Sequence, residues 1–346
     1  MSTRETVFQR IKESGHVPVL PEILVRLLEA CDNQATPLTQ VASLIDKDPS
    51  LSYKVLQLVN SAYFGLKTTY SGVDQAVVYL GANSVKNMAV TAAVHQVFNS
   101  GLFSSLTYFN IHSFWHHSLK CACLSRRIAE HHGQANPDDA YLGGLLHDLG
   151  KLVLVSAYPD QYEAVLAEAP QQDDLLETEH NHIGSNHAEI GAWLVADWNL
   201  NSLIGDAISY HHETPERVTG AFPLVKIIYA ANQLSKDGSR ESARGIVDLL
   251  LGLGGEDLGQ IVEAADEEIL QISAELGIVV EPPSPEDGLE GRTIIVAEEG
   301  ATLHANLASR IKGISLLSGF LENMTQAENR ETMIRAFEQS LQNAAT

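Results

Sequence analysis

The sequence predicts an all-α protein with two helical lobes, and three features indicate this. Apolar residues recur at spacings of three and four along most of the first 280 residues, which is the period of amphipathic helices. Proline and glycine separate these segments, at positions typical of helix ends. The chain has 346 residues, of which 45% are hydrophobic, enough for a sizeable core. We therefore place one lobe at 1–108, a second at 109–280, a linker at 281–302 and a helical segment at 303–346.

Charge and cysteine content exclude several functions. The chain carries 22 basic and 44 acidic residues, a net charge of −22, which opposes binding to nucleic acid or anionic membranes. The polar start does not resemble a signal peptide, and no apolar run is long enough to span a membrane. Cys31, Cys121 and Cys123 fit no common zinc spacing, so we interpret them as small buried residues. We expect a cytoplasmic protein without nucleic-acid or membrane partners.

The first lobe is predicted to be helical throughout. Helices are expected from Val19 to Ala30, after Pro37, from Leu51 to Val59, from Val73 to Tyr79 and through Met88 to Val97. Two of these lie close together around Asp48-Pro49 and could be read as a DNA-binding helix-turn-helix. The charge balance argues against that interpretation, because contacts with phosphate dominate such binding.

Four short motifs in this lobe follow one another in a specific order. The motifs are Val17-Pro18-Val19-Leu20-Pro21, Ile45-Asp46-Lys47-Asp48-Pro49-Ser50-Leu51, Asn60-Ser61-Ala62-Tyr63-Phe64-Gly65 and Ala76-Val77-Val78-Tyr79-Leu80-Gly81. With them the chain resembles the HDOD family of bacterial signalling modules, over roughly residues 15 to 275. The resemblance implies a fold related to the HD phosphohydrolases and the HD-GYP cyclic-dinucleotide phosphodiesterases.

The segment Leu145 to Lys151 places polar groups in a run that should be buried. It is predicted to lie on one helix capped by Asp138-Asp139, with His147, Asp148 and Lys151 able to face one cavity. Nearby glycines should let another backbone approach closely. The segment indicates a metal or phosphate site. The alternative is a core helix whose histidine is satisfied by ordinary hydrogen bonds.

Further histidines are predicted on other helices of the second lobe. His117 lies in the apolar stripe of a helix from about Ile111 to His131, while His211 and His212 end a later helix. His187 follows a capping Ser185 or Asn186 and continues an apolar stripe.

Other residues near these histidines are less suited to a metal site. His180 and His182 compete with His187 as ligands, but neither continues an apolar stripe. The acidic segment 159–178 is expected to be a surface insertion without chemistry.

These side chains form a candidate metal site. Imidazole and carboxylate ligands without thiolate suit a divalent transition metal, with iron or manganese preferred over nickel or zinc, and one or two ions. The alternative is a set of separate core histidines, each bonded to a backbone carbonyl. The candidate ligands are His117, His147, Asp148, His187, His211, His212 and, weakly, Asn232.

The resemblance assigns roles to these residues. It implies that His117, His147 and Asp148 form the basic HD set, and that His187, His211 and His212 match extra ligands of the HD-GYP branch. Asn232 stands where HD families carry a closing aspartate, and no Gly-Tyr-Pro segment follows His212.

Three candidate functions follow from the resemblance to the HDOD family and from the two points, at Asn232 and after His212, where this sequence departs from the related families. The leading one is a regulatory module that interacts with other signalling proteins or domains and has no catalytic activity. The second is a metal-dependent phosphohydrolase with Asp148 and Lys151 at the reaction centre. The third is an iron-based redox sensor.

The C-terminal segment has a helical apolar pattern of its own. Leu307, Ile311, Ile314, Leu317 and Leu321 keep a spacing of three and four. Such a helix would pair with a second copy to form a homodimer, or pack on the core. The sequence leaves both alternatives open.

Overall fold

The structure is a computed structural model that describes residues 3–13, 22–32, 35–60, 69–98, 103, 106–169, 175–236 and 240–281. Regular structure in these ranges is entirely helical, so the all-α prediction is confirmed for them. Among the helices described, we find none with the length and apolar character that a bilayer crossing requires. The linker beyond residue 281, the segment 303–346, the whole motif at 17–21 and residues 61–65 of the motif at 60–65 lie outside the described residues.

The first part of the chain forms short helices close to where the apolar spacing predicts them. Local signals set their starts: Pro37 precedes α3, and the Asp48 carboxylate accepts hydrogen bonds from the Ser50 and Leu51 amides at 2.9 and 3.0 Å at the start of α4. The helices are α1 (Thr3–Glu13), α2 (Glu22–Asp32), α3 (Leu38–Ile45), α4 (Pro49–Val59), α5 (Val73–Leu80) and α6 (Ala82–Phe98).

The second part is organised around α7, which Asn110 caps and Gly133 ends in a left-handed conformation. This helix packs against α8, α15 and α17, and α12 packs against α9 and α13. The helices are α7 (Ile111–His132), α8 (Pro137–Leu146), α9 (Leu149–Ala157), α10 (Pro159–Glu168), α11 (Leu175–Ile183), α12 (His187–Asp197), α13 (Ser202–Tyr210), α14 (Pro215–Val218), α15 (Pro223–Ser235), α16 (Arg240–Leu251) and α17 (Gly255–Leu276).

The main hydrophobic core runs through both predicted lobes. One cluster of buried side chains extends from Val7 to Ile278. Polar contacts also join α6 to α8: Asn87 Nδ2 donates to Asp138 Oδ1 at 3.0 Å, and the Thr91 hydroxyl lies 3.2 Å from the Tyr141 hydroxyl. The division at residue 108 stays a prediction, because the buried cluster is continuous across it.

Two glycines let the helices that carry the histidines approach closely. A Cβ added at Gly144 would lie 2.6 Å from the Cys121 carbonyl oxygen, so α8 rests directly on α7. A Cβ added at Gly150 would overlap the His187 carbonyl and lie 2.9 Å from Gly191 N, so α9 rests on α12. The predicted close backbone approach is confirmed.

The predicted helix through Lys151 is wrong in two details. Asn136, rather than Asp138-Asp139, caps α8, accepting from the amides of those two residues. The helix also divides at His147 and Asp148, where Asp148 has φ −101° and ψ 3°. The His147 ring bonds to the Gly144 carbonyl, an acceptor that a continuing helix would use, and so competes with the backbone.

The segment 159–178 is not simply a surface insertion. Tyr162 on α10 is 1% exposed, and Val165, Ala169 and Leu175 form a small apolar cluster of their own. The acidic composition hid this packing, because Asp160, Glu168 and Glu177 are exposed on the outer face of these helices. This packing also matters for the site, because the Tyr162 hydroxyl donates to Glu179, the carboxylate that orients His187.

Candidate metal centre

Two histidine rings are held by the ends of their own helices. His147 follows α8 and His211 follows α13, and each ring places Nδ1 against the carbonyl oxygen three residues earlier. His147 Nδ1 lies 2.7 Å from Gly144 O, and His211 Nδ1 lies 2.6 Å from Ile208 O. Carbonyls at helix C-termini are free to accept such bonds. Because a carbonyl only accepts, both Nδ1 atoms must carry hydrogen, and both Nε2 atoms are left with free lone pairs.

His187 is held by a buried carboxylate from the preceding helix. Its Nδ1 lies 2.7 and 2.9 Å from the two oxygens of Glu179, and its backbone amide donates to Glu179 Oε2 at 2.8 Å. Glu179 is 0% exposed and also accepts from the Tyr162 hydroxyl at 2.7 Å. The carboxylate therefore fixes Nδ1 as the protonated nitrogen, and Nε2 of His187 faces the centre.

His117 is held by a serine on α15. Its Nδ1 lies 3.2 Å from the Ser235 hydroxyl, which itself donates to the Asn232 carbonyl at 2.8 Å. Since the serine hydrogen is already used, the hydroxyl accepts from His117 Nδ1. The Nε2 of this ring is therefore also unprotonated.

Asp148 lies in the middle and presents one oxygen to each of two groups of rings. Its Oδ1 is 3.4 Å from His187 Nε2 and 3.3 Å from His211 Nε2. Its Oδ2 is 3.5 Å from His147 Nε2 and 3.6 Å from His117 Nε2.

We name the two groups after the oxygen that each uses. The Oδ1 site consists of Asp148 Oδ1, His187, His211 and His212, whose Nε2 lies 3.0 Å from His187 Nε2. The Oδ2 site consists of Asp148 Oδ2, His117 and His147. Within each site the ligand atoms lie within 4.8 Å of one another.

The cluster is almost entirely removed from water. His147, His187 and His211 are 0% exposed and Asp148 is 3% exposed. Only His117 and His212 keep partial exposure among the cluster residues. Burying so many polar rings is costly unless they share a partner.

Burial and the central carboxylate set the protonation states. Burial lowers the pKa of His117 to about 4 and holds the pKa of His147, His211 and His212 below the ordinary value. Burial alone would raise the pKa of Asp148, but the Lys151 ammonium and the neighbouring rings outweigh it and hold that pKa well below its usual range. These four rings are therefore neutral beside an ionised carboxylate, the protonation state in which these groups ligate metals.

This arrangement fits a divalent cation. His117 Nε2 and His147 Nε2 lie only 3.0 Å apart, although both carry lone pairs, and Asp148 Oδ1 is buried without a hydrogen-bond partner among the described residues. Such an arrangement of acceptors is repulsive unless a cation lies among them. The outer partners follow the pattern of metal-bound histidine, in which the second ring nitrogen donates to a carbonyl or carboxylate.

Two further predicted residues, Lys151 and Asn232, make polar contacts with members of the cluster. Lys151 Nζ pairs with Asp148 Oδ2 at 2.7 Å and is 7% exposed. Asn232 Nδ2 donates to the His211 carbonyl at 3.1 Å, while its Oδ1 is buried without a partner in the described part of the chain. Asn232 thus supports the backbone at His211 and keeps one free acceptor.

His187 belongs to the cluster and its two competitors do not, but sequence reasoning missed the residues that orient the cluster. His180 and His182 are exposed, and His182 pairs with Glu168 at 2.7 Å, so both lie outside the cluster. Glu179, Tyr162 and Ser235 were not predicted. The only signal for Glu179 was its place in a helix directly before the one that carries His187.

An all-helical fold with a buried His/Asp cluster shared between several helices defines a protein of the HD-related class. A family model described as the HDOD domain matches residues 17–214, more than half of the chain. The chain belongs to the HDOD family, and the resemblance drawn from its motifs is confirmed.

Two relatives match this chain over part of their own length. An uncharacterized protein of Treponema pallidum is 30% identical over 220 residues, 62% of this chain and 41% of that protein. Ribonuclease Y of Thermotoga maritima is 28% identical over 174 residues, 50% of this chain and 28% of that enzyme. This chain therefore spans less than half the length of either relative.

A solved structure shows the same fold over most of the described chain. The crystal structure of an HDOD domain protein of unknown function from Geobacter sulfurreducens is 26% identical, with a TM-score of 0.59. The match covers 80% of this chain and 98% of that one. The HDOD fold prediction is confirmed.

Proposed function

We propose that this protein is an HDOD signal-transduction module whose His/Asp cluster binds a divalent transition metal in a regulatory rather than catalytic role. The observation that carries the proposal is the orientation of the rings. Four of the five imidazoles in the cluster have Nδ1 engaged by an outer partner and Nε2 turned toward Asp148 or its neighbours. Separate core histidines would have no reason to share one carboxylate.

The same geometry argues against turnover. The two residues that catalysis would use, Asp148 and Lys151, are paired with each other and buried. A substrate phosphate would have to reach the centre past partly covered His117 or His212 and then displace that ion pair. An amide at position 232 also supplies no negative charge to the metal.

The donor chemistry narrows the metal. The groups offer imidazole nitrogens and carboxylate oxygen, and no cysteine belongs to either site. Iron or manganese is our preferred assignment, with nickel and zinc as alternatives. When bound, such an ion supplies Lewis acidity and, if it is iron, a redox-active centre.

Elemental analysis of protein purified without added metal tests the proposal. Wild type and a His182→Ala control, whose ring lies outside the cluster, should each retain one or two equivalents of a transition metal. Asp148→Ala should lose most of it, because Asp148 supplies an oxygen to each site, 3.3 Å from His211 Nε2 and 3.5 Å from His147 Nε2. Equal metal in all three proteins, or none in wild type, would contradict the proposal.

A metal-dependent phosphohydrolase is the second candidate, favoured by the intact set of five imidazoles around Asp148. It predicts hydrolysis of nucleotides or generic phosphodiesters with iron or manganese added, and loss of turnover in Asp148→Ala. The regulatory proposal predicts no turnover. An iron-based redox sensor would instead show a visible spectrum that changes on oxidation.

The partners of the module are part of the proposal. Other signalling proteins or domains are proposed, and the net charge of −22 disfavours nucleic acid and membrane surfaces. Three free cysteines support a reducing compartment such as the cytoplasm. A homodimer through the helix predicted at 303–346 would appear as a doubled mass by light scattering.

A further inference from the structure

The two sites that share Asp148 differ in how many donors they offer. The Oδ1 site combines one carboxylate oxygen with three imidazoles, from His187, His211 and His212. The Oδ2 site combines one oxygen with two imidazoles, from His117 and His147. Transition metals in proteins usually have four or more ligands, so only the Oδ1 site offers a nearly complete set from these residue types.

The two oxygens of Asp148 also differ in availability. Oδ2 already accepts a hydrogen bond from the Lys151 ammonium at 2.7 Å, in a buried ion pair. Oδ1 is buried and has no hydrogen-bond partner among the described residues. A cation at Oδ1 supplies a missing partner, whereas a cation at Oδ2 must displace an ammonium or remain beside it.

The surroundings of His117 add to this difference. The side chain of His117 is 15% exposed, while those of His187 and His211 are 0% exposed. The α15 side chain that holds the His117 ring is Ser235, a neutral hydroxyl that is in turn bonded to the Asn232 backbone carbonyl. No described carboxylate other than Asp148 belongs to the Oδ2 site.

We infer that the two sites fill in order: the first ion binds at the Oδ1 site, and Lys151 acts as a built-in counter-ion that suppresses a second ion at the Oδ2 site. This inference rests on the proposed function and specifies it. The working form of the protein would then hold a single ion. Loss of the Lys151 charge would let the centre bind two metal ions.

Titration of metal-free protein with Mn²⁺ alone tests the order. Free Mn²⁺ is counted by its electron paramagnetic resonance signal, and heat of binding is measured in parallel. Wild type should take up one equivalent tightly and a second at least tenfold more weakly. Lys151→Met should reduce the ratio of the second to the first dissociation constant at least tenfold. The control Lys120→Met, which removes another buried lysine, paired with Asp266 at 3.0 Å, should leave this ratio unchanged.

Two ligand variants assign the tight ion to one site and keep the test decisive if Lys151→Met fails to fold. His212→Ala should weaken the first Mn²⁺ at least tenfold, and His117→Ala should leave it within threefold of wild type. Two equally tight ions in wild type, or a tight ion lost in His117→Ala but kept in His212→Ala, would overturn the inference. Wild type that binds no Mn²⁺, iron or other transition metal would instead refute the proposed function.

Discussion

At the residue scale, the nitrogen that faces away from the centre decides what each ring can do. His147 and His211 use backbone carbonyls three residues earlier, His117 uses a serine, and His187 uses a carboxylate. The charged partner is the strongest of these, because hydrogen bonds that involve an ionised group are about twice as strong as neutral ones. We therefore expect Glu179 to contribute most to holding a ring in place.

Glu179 should control metal affinity without touching the metal. Burial raises the pKa of Glu179, but the His187 ring and its hydrogen bonds outweigh burial and keep the carboxylate ionised. Glu179→Gln should weaken metal binding by roughly 10- to 100-fold, the usual cost of losing such an outer partner. Calorimetric titration with Mn²⁺ measures this.

A matched control and a spectroscopic readout separate orientation from general damage. Glu168→Gln changes an exposed glutamate that pairs with His182, outside the cluster, and should bind Mn²⁺ like wild type. Nitrogen-15 spectra of the metal-free protein should show His187 protonated at Nδ1 in wild type and a mixture of tautomers in Glu179→Ala. An unchanged affinity in Glu179→Gln would show that the carboxylate is merely structural.

The residues that form the cluster could be predicted, but those that orient it could not. His117, His147 and His187 could be predicted because each polar ring interrupts an apolar helical stripe or adjoins glycines. Glu179 gave no such signal, since acidic residues are ordinary in a segment that looks solvated. Its burial depends on Tyr162 and the apolar cluster of α10 and α11, which only the three-dimensional packing shows.

At the scale of elements, helix existence was easier to predict than the point where a helix stops. The spacing of apolar residues placed the end of α7 within one residue of its observed position. The division between α8 and α9 was missed because its cause is a side chain, His147, that bonds to the carbonyl of Gly144. The same break turns Asp148 toward both groups of rings. The helix boundary that the sequence did not predict is therefore the feature that positions the shared carboxylate.

The contact between α9 and α12 gives an element-scale prediction. A Cβ at Gly150 would overlap the His187 carbonyl, which is backbone and cannot rotate away. Gly150→Ala should therefore push the helices apart, with a loss of about 1–3 kcal/mol in the free energy of unfolding, and should weaken metal binding at His187. Urea unfolding and Mn²⁺ titration measure the two effects.

Gly205→Ala on α13 is the matched control. A Cβ there would meet Val195 and Ala192 at 3.7 and 3.8 Å, which is ordinary contact. This variant should be neutral or more stable by up to about 1 kcal/mol, because alanine favours helix over glycine. If both alanines behave alike, the close approach at Gly150 is not what limits the site.

At the scale of the whole molecule, α17 is tied to the central helix by buried charge. Glu268 on α17 is 1% exposed and accepts from Arg127 Nε and Nη2 at 2.9 Å, and it also pairs with Arg126. Helix α17 also contacts α4 of the first predicted lobe, so the ion pair fixes the position of a helix that packs against both predicted lobes. Neither its burial nor its pairing was evident from the sequence, because Glu268 lies in an acidic run.

Loss of this charge should destabilise the molecule as a whole. Glu268→Gln should lower the free energy of unfolding by about 2 kcal/mol, the scale of hydrogen bonds to charged groups, since both arginines keep some contact with water. Glu267→Gln, an exposed neighbour on the same helix, should change it little. Equal urea midpoints for the two variants would contradict this role of Glu268.

Metal removal should affect the entire described fold, because the candidate ligands come from four separate stretches of chain: α7, the break between α8 and α9, the start of α12 and the end of α13. A ligand that binds only the folded state stabilises it by about 2.7 kcal/mol when present at a hundred times its dissociation constant. At roughly 2–4 °C per kcal/mol, chelation should lower the melting temperature by about 5–10 °C. Calorimetry with and without chelator measures the shift, and restored Mn²⁺ should reverse it. Asp148→Ala, which removes the carboxylate shared by both sites, should melt at the same temperature in both conditions, since it has no metal to lose.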